Sequence, residues 1–530
     1  MLQTTRSYRG MVTAPHNLAA RAGLRVLEDG GNAIEAMVAA AATIIVVYPH
    51  MNGLGGDNFW LIHTPGKEVV GIDACGAAAG LADVDYYRNQ GFQAIPSRGI
   101  HAALTVAGAV SGWQEALRVS GEKWGGKMSL ERILEDAVHY ASEGVAITNT
   151  LADNILLRLD ELAEAPGFKQ NYLFNGQLPN TGMRHRQPRI AETLKRLARA
   201  GLDDFYRGDL AKAMAADLER AGTPLRLEDL ERHQALNVTP LSVDVAGHKV
   251  YNMPPPTQGL ASLILLGVYD RLGIKQAETF DFVHGLVEAT KQAFRVRDQH
   301  VTDPEYMATP AHEFLSANGL DKMAVNVDCA KALPWPEASS KGDTVWLGAV
   351  DGEGRAVSFI QSVYWEFGSG TVLDETGVTW QNRGTSFSLD PAHHNALKPH
   401  RHPFHTIQPA LAQLSDGRVM PYGTMGGEGQ PQTQAMLFAR HVLHGQELQQ
   451  AVTAPRWLLG RTWGADTTSL RIENRFDPGV IAALNNAGHD LELVGPYDDV
   501  MGHAGALVHH PDGLIEGAAD PRGDGQAAGF

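Results

Sequence analysis

The chain has 530 residues, 44% hydrophobic and 20% charged, with 57 glycines and 27 prolines. At roughly 150 residues per domain this suggests two to four domains or one large interdigitated unit, and the even scatter of glycine and proline excludes collagen-like, low-complexity and disordered classes. A net charge of −16 argues against nucleic acid as a partner, although one local cation suffices to hold a small anion.

Two cysteines, Cys75 and Cys329, exclude a disulfide framework, a cysteine zinc site and an iron–sulfur centre. The first ten residues lack the apolar core of a secretion signal. The longest aliphatic run, Met37 to Val47, is well short of the roughly 20 residues that span a bilayer. The expectation is a cytoplasmic protein without membrane contact, in which the sequon Asn237-Val238-Thr239 is a chance match.

Residues 14–150 read as mainly helical. Leu18, Ala22 and Val26 keep helical spacing up to Gly30-Gly31, and Asn32 stands where it can cap a second, nearly all-apolar helix over 33–47. The following loop, Asn52-Gly53-Leu54-Gly55-Gly56-Asp57, lacks the Walker lysine and the Rossmann spacing, so close packing of backbone on backbone is preferred over a phosphate cradle. Further helices are predicted at 129–142, 189–200, 210–221 and 280–297. The last places Phe282, Leu286, Ala289, Ala293 and Val296 on one core-facing side. Pro254-Pro255-Pro256-Thr257-Gln258-Gly259 reads as a rigid connection ahead of a buried helix rather than a proline-binding motif.

Character changes at 333–343, where prolines and small polar residues without periodicity predict an exposed linker. Directly after it, 344–350 reads as a strand, Asp351-Gly352-Glu353-Gly354 as a turn and 355–364 as the partner strand. A buried hairpin thus begins abruptly on a hydroxyl residue. No repeat of 20–50 residues is visible.

Neither a Gly-x-Ser-x-Gly elbow nor a His-Glu-x-x-His helix occurs. His393, His394, His400, His402 and His405 form a histidine-rich stretch, but it is broken by Pro399 and Pro403 and flanked by Lys398 and Arg401. It reads as a solvated or substrate-facing loop rather than a metal site, which needs imidazoles fixed on one face. No metal and no cofactor are expected. Thr344 is the more informative residue. A threonine hydroxyl needs a base within hydrogen-bond reach. Scission between Asp343 and Thr344 frees an α-amine on the same residue, and such an amine titrates near 7.7–8.0. Gly-Asp-Thr before a strand is by itself most often a plain turn.

Blocks distributed along the chain supply the support. Gly30-Gly31-Asn32-Ala33-Ile34-Glu35-Ala36, Gly53-Leu54-Gly55-Gly56-Asp57-Asn58-Phe59, Pro254 to Gly259, Glu288-Ala289-Thr290-Lys291-Gln292-Ala293-Phe294, Gly342-Asp343-Thr344, Phe367-Gly368-Ser369-Gly370 and Gly517 to Gly525 occur in order. With these blocks the sequence resembles the gamma-glutamyltranspeptidase family of N-terminal-nucleophile hydrolases over about nine-tenths of its length. The resemblance implies a proenzyme cut between Asp343 and Thr344 into a large chain, 1–343, and a small chain, 344–530, which stay together as one α+β unit. Its fold would be a four-layer αββα sandwich. A homo-oligomer of such heterodimers is left open. Thr344 would be the nucleophile, Ser362 would orient its hydroxyl, and Gly426-Gly427 would hold the oxyanion.

The substrate residues depart from the family's pattern. In register with it, Tyr364 replaces the glutamyl-recognising Asn, Arg383 the Gln, Ser386 the ammonium-binding Asp, and His405-Thr406 the Ser-Ser carboxylate clamp. The large-chain arginine that grips the carboxylate falls near Val84. Losing the Asp leaves a substrate ammonium without a partner, whereas Arg383 favours a carboxylate. Expected is hydrolysis of a small carboxylate-bearing amide anchored by Arg383, His405, Thr406 and Tyr364. Trp380 to Gly384 and the 403–409 and 423–434 blocks resemble the oxamate amidohydrolase members, implying oxamate as substrate and oxalate and ammonia as products. The alternatives are a gamma-glutamyl hydrolase or transferase, a cephalosporin-type acylase, and, more remotely, an unprocessed binding protein.

Overall fold

The computed structural model describes residues 3–335, 343–460 and 468–530. Gly342 and most of the expected linker lie outside the described residues. From Asp343 onward the expected hairpin is present: strand Asp343–Asp351 runs antiparallel to Ala356–Tyr364.

This hairpin lies at the centre of a seven-stranded sheet. In spatial order the strands are Gln526–Gly529, Gly10–Ala14, Asp343–Asp351, Ala356–Tyr364, Asp57–His63, Val70–Ala74 and Leu236–Val238. A second seven-stranded sheet runs Thr5–Ser7, Ile515–Ala519, Ala504–His509, Val419–Thr424, Ala410–Gln413, His248–Asn252 and Leu241–Val245. Side chains that alternate along each strand decide which layer each residue joins. Trp346, Val350, Phe59, Leu61 and Ile360 meet Leu411, Leu507 and Ile515 between the sheets. Val345, Leu347, Trp60, Ile62, Val357 and Phe359 face outward into a core shared with helices Asn17–Glu28, Ala33–Val47, Leu130–Glu143 and Pro188–Ala200. On the far side, Gly259–Arg271, Phe280–His300 and Gln430–Phe438 cover the second sheet. The result is the expected four-layer αββα order.

Asn32 caps the buried helix Ala33–Val47 as predicted. Its side chain accepts the Ile34 and Glu35 N–H groups at 3.0 and 3.2 Å, and the Glu35 carboxylate accepts the Asn32 N–H at 2.9 Å. The predicted helices appear as Leu130–Glu143, Pro188–Ala200, Asp209–Ala221 and Phe280–His300. The mainly helical reading of 14–150 needs correction, because strands Asp57–His63 and Val70–Ala74 lie within it. A strand covered on both faces shows a continuous apolar run instead of alternation, which hides it among helical segments.

Candidate active site

Thr344 is fully buried and lies in a β-bulge. Pairing passes from Asp343 opposite Tyr364 to Val345 opposite Gln361, so Thr344 faces two residues, Ser362 and Val363. The Ser362 hydroxyl accepts the N–H of Tyr364 at 2.7 Å. Tyr364 itself has φ +82°, rare for a bulky side chain. Beneath this bulge the glycine loop packs backbone on backbone, as its sequence suggested. A Cβ at Gly56 would lie 2.1 Å from the Ser362 carbonyl oxygen, and one at Gly55 would lie 2.2 Å from that of Thr379.

The Tyr364 ring carries the Arg383 guanidinium, 3.5 Å from its centroid. Arg383 starts the short turn Arg383–Ser386, is buried, and donates to the Thr406 hydroxyl at 3.4 Å. No carboxylate forms an ion pair with it among the described residues. Burial lowers its pKa to about 10, against the pull of Tyr364, Asp57 and Cys75, so it remains cationic at neutral pH. His405, next to Thr406, is also buried, with its ring edge-on to Phe59. Burial, then Arg383 and His402, hold it well below the ordinary imidazole range, and it is neutral.

Gly426 and Gly427 turn the chain at the end of strand Val419–Thr424 with φ +116° and +50°, backbone angles that favour glycine. Their position is fixed from the opposite side of the site. The Gln258 amide donates to the Gly427 and Thr406 carbonyls at 2.8 and 2.6 Å. Arg297 in turn donates to the Gln258 side chain and to Glu428, both at 3.1 Å. The rigid Pro254–Gly259 segment therefore serves to position Gln258. Its backbone also exchanges hydrogen bonds with His405, at 2.9 Å from Pro256 and 2.8 Å from Gln258. Gln430 donates to the Thr344 hydroxyl at 3.3 Å.

All the nominated residues therefore gather around one bulge: Thr344, Ser362 and Tyr364 on the hairpin, Arg383, His405 and Thr406 beside it, and Gly426-Gly427 held through Gln258. Of Asp343 only the strand pairing is described. Val84, where the carboxylate-gripping position was expected, begins the short helix Val84–Arg88 and packs against the helical core; the residues before position 343 whose charge acts on Arg383 are Asp57 and Cys75. Cys75 and Pro256 line a cavity of about 490 Å³ that also takes in His400 and His402, with the Cys75 thiol 3.3 Å from His402 Nδ1. The histidine-rich stretch is divided: His393 stacks on His394, His400 and His402 line this cavity, and the His405 ring lies against Phe59 and Asp57.

Residues missed at the sequence level are Asp57, Gln258, Arg297 and Gln430. Gln258 lies inside a quoted block and Arg297 follows one by three positions, so a charged residue on a buried helix was the available signal. Among the described residues, His284, Glu288 and His489 are close enough to share a metal ion. However, His284 Nδ1 contacts His489 Nε2 at 2.8 Å, and the Glu288 oxygens accept from Lys291 at 2.6 Å and from the Leu333 N–H at 3.2 Å. The two histidines are thus engaged with each other, and Glu288 with Lys291 and the Leu333 backbone.

A sequence model of the gamma-glutamyltranspeptidase family matches residues 19–530. The oxamate amidohydrolase proenzyme of Klebsiella pneumoniae subsp. pneumoniae is 52% identical over 524 residues, 99% of each chain. The glutathione hydrolase-like YwrD proenzyme of Bacillus subtilis is 39% identical over 98% of each. The crystal structure of a cephalosporin acylase from Bacillus halodurans superposes with a TM-score of 0.92 at 33% identity, covering 100% of this chain and 97% of that one. No helix among the described residues is long and apolar enough to cross a membrane.

Proposed function

We propose that this chain, which belongs to the gamma-glutamyltranspeptidase family, hydrolyses a small amide bearing a carboxylate next to the scissile bond, with oxamate as the preferred substrate. The observation that carries the reading is Arg383: a buried cation without an ion-pair partner among the described residues, seated on Tyr364 one residue along from the Thr344 bulge. With no carboxylate in direct contact, its donors are available to an incoming anion, and a guanidinium matches a carboxylate in plane and in donor number. Thr406 would steady the same carboxylate, and the neutral His405 ring would close that side. The 52% identity to an oxamate amidohydrolase proenzyme supports the same substrate.

In the proposed reaction the Asp343–Thr344 bond is first cut, leaving the large chain 1–343 and the small chain 344–530. The free amine of Thr344 takes the hydroxyl proton as Oγ attacks the amide carbon. Backbone N–H groups of Gly426 and Gly427 hold the developing oxyanion, each donor worth about 2.7–4 kcal/mol. Collapse expels ammonia with the proton returned by the amine, and water then hydrolyses the oxalyl ester to oxalate. Ser362 and Gln430 hold Oγ in line.

A gamma-glutamyl substrate is disfavoured, since Ser386 stands at the ammonium-binding position. A cephalosporin-type acylase is the second reading. It is favoured by the likeness to the Bacillus halodurans structure. Ammonia release from oxamate, glutamine and glutathione, beside release of the side-chain acid from a cephalosporin, tests the proposal. Turnover of oxamate at least as efficient as of the others is expected. A preparation whose intact mass shows the uncut chain while it turns over fully removes the proposed nucleophile.

A further inference from the structure

We propose that Asp57 is a positioning residue of this site: its carboxyl balances Arg383 before substrate arrives and takes up a proton when a substrate carboxylate engages that guanidinium. The inference rests on Arg383 being the carboxylate anchor.

Asp57 begins strand Asp57–His63 and pairs with Ser362, one strand across from the Thr344 bulge. Its Oδ1 is fixed by the N–H groups of Gly76 and Gly108 at 3.1 and 3.0 Å. Oδ2 accepts no hydrogen bond from a described residue, and it lies 3.4 Å from His405 Nε2, whose ring nitrogens likewise form none. The carboxyl is thus fixed at Oδ1 and linked to Arg383 by two short routes: through His405, whose neighbour Thr406 accepts from Arg383 at 3.4 Å, and through its strand partner Ser362, which holds the N–H of the Tyr364 that carries the guanidinium at 3.5 Å.

The titratable and polar groups around it come from five places: Arg383 at the start of the short turn with Gln381 just before it, His405 from the 403–409 block, Cys75 after strand Val70–Ala74, Tyr206 from helix Asp204–Arg207, and the Ser362 hydroxyl across the strand pair. Only Arg383 is charged under all relevant conditions. With Asp57 ionised the pair is neutral overall. A substrate carboxylate then makes two anions around one buried cation, and like charges without solvent favour protonating one of them. His405 is held neutral, and burial pushes the Cys75 thiol well up, so neither supplies the missing charge. Burial has already brought Asp57 to about 7 even beside Arg383, which puts its proton within reach at neutral pH.

The test is calorimetric binding of oxalate, the proposed product, to the mature enzyme in buffers of different protonation enthalpy. The wild type is expected to take up about one proton per oxalate near pH 8, and its affinity to fall about tenfold per pH unit above 7. Asp57→Asn is expected to bind with little proton uptake and little pH dependence across that range. Uptake that persists in Asp57→Asn, or binding by the wild type that depends on Arg383 without proton uptake, overturns the proposal. The wild-type count decides the matter even if the variant misfolds. Oxalate binding that is unchanged in Arg383→Ala, or absent in the wild type, overturns the carboxylate anchor itself. Glutamate serves as the contrasting probe: an ammonium seated on Asp57 lowers its pKa and releases a proton, and release on oxalate binding also overturns the assignment.

Discussion

Arg383 and Tyr364 form a cation–ring pair in which the Tyr364 backbone is held by the Ser362 hydroxyl beside Thr344. The guanidinium carbon lies 3.5 Å from the centre of the phenol ring and the group donates to Thr406, so it is held from two sides before a ligand binds. Truncating it removes a charged hydrogen-bond partner, which costs about 1.5–3 kcal/mol, or about 10- to 100-fold. Arg383→Ala is therefore expected to raise KM for oxamate by that factor while changing kcat less, as steady-state kinetics will report. Arg383→Lys is expected to recover only part of the loss, because an ammonium neither stacks flat on Tyr364 nor binds two oxygens at once. At Thr344 itself the expected outcome is sharper. Thr344→Ala should give a single uncut band on a denaturing gel and no ammonia release, whereas Thr344→Ser keeps a hydroxyl and an amine and should mature.

The hairpin and the helix that follows the first glycine signature behave as the local chemistry dictates. Asn32 and Glu35 close both halves of a capping box, and Asn32→Ala is expected to cost about 1 kcal/mol of stability in chemical denaturation, with maturation intact. Gly56 is a stricter case. A methyl group there would meet the Ser362 carbonyl at 2.1 Å, and backbone cannot yield as a flexible side chain can. Gly56→Ala should lose about 1–3 kcal/mol by overpacking and, by displacing the strand that faces Thr344, lower the rate of maturation measured by gel. Both features were legible in the sequence, because capping and glycine punctuation act over a few neighbouring residues. Strand Asp57–His63 was not, since burial on both faces erases the alternation by which a strand is usually detected.

Both sheets draw strands from either side of the Asp343–Thr344 bond. In the first, Gly10–Ala14 and Asp57–His63 flank the hairpin 343–364; in the second, Leu241–Val245 and His248–Asn252 continue from Ala410–Gln413. Scission at that bond would leave two chains that share hydrogen-bonded sheets, and the fragments are expected to co-elute in native gel filtration and to separate only on denaturation. The C-terminal signature contributes to the same closure. Burial alone would raise the Asp520 pKa, but Arg456 and Arg522 outweigh it and hold the carboxyl at about 2. A carboxyl held below its ordinary value of about 3.9 stabilises the fold at pH above that value and loses its contribution as pH falls toward the lowered one. Melting temperature between pH 7 and 3 is expected to fall in the wild type. Asp520→Asn should already be about 3–5 kcal/mol less stable at pH 7, from stranding Arg456, and should show a flatter acid dependence.

The sequence by itself determined the helix cap, the close-packed glycine loop and the abrupt hairpin at Thr344, because each follows from hydrophobic period, turn chemistry or backbone freedom within a short span. Its ordered blocks also carried the family likeness. Only the tertiary structure decided which distant residues meet. Asp57, Gln258, Arg297, Arg383, His405 and Gln430 are separated by up to hundreds of positions and converge through the stacking of two sheets. A hydrophobic pattern specifies that a face is buried, whereas the partner it finds there, and the charge balance that results, depend on how the layers register.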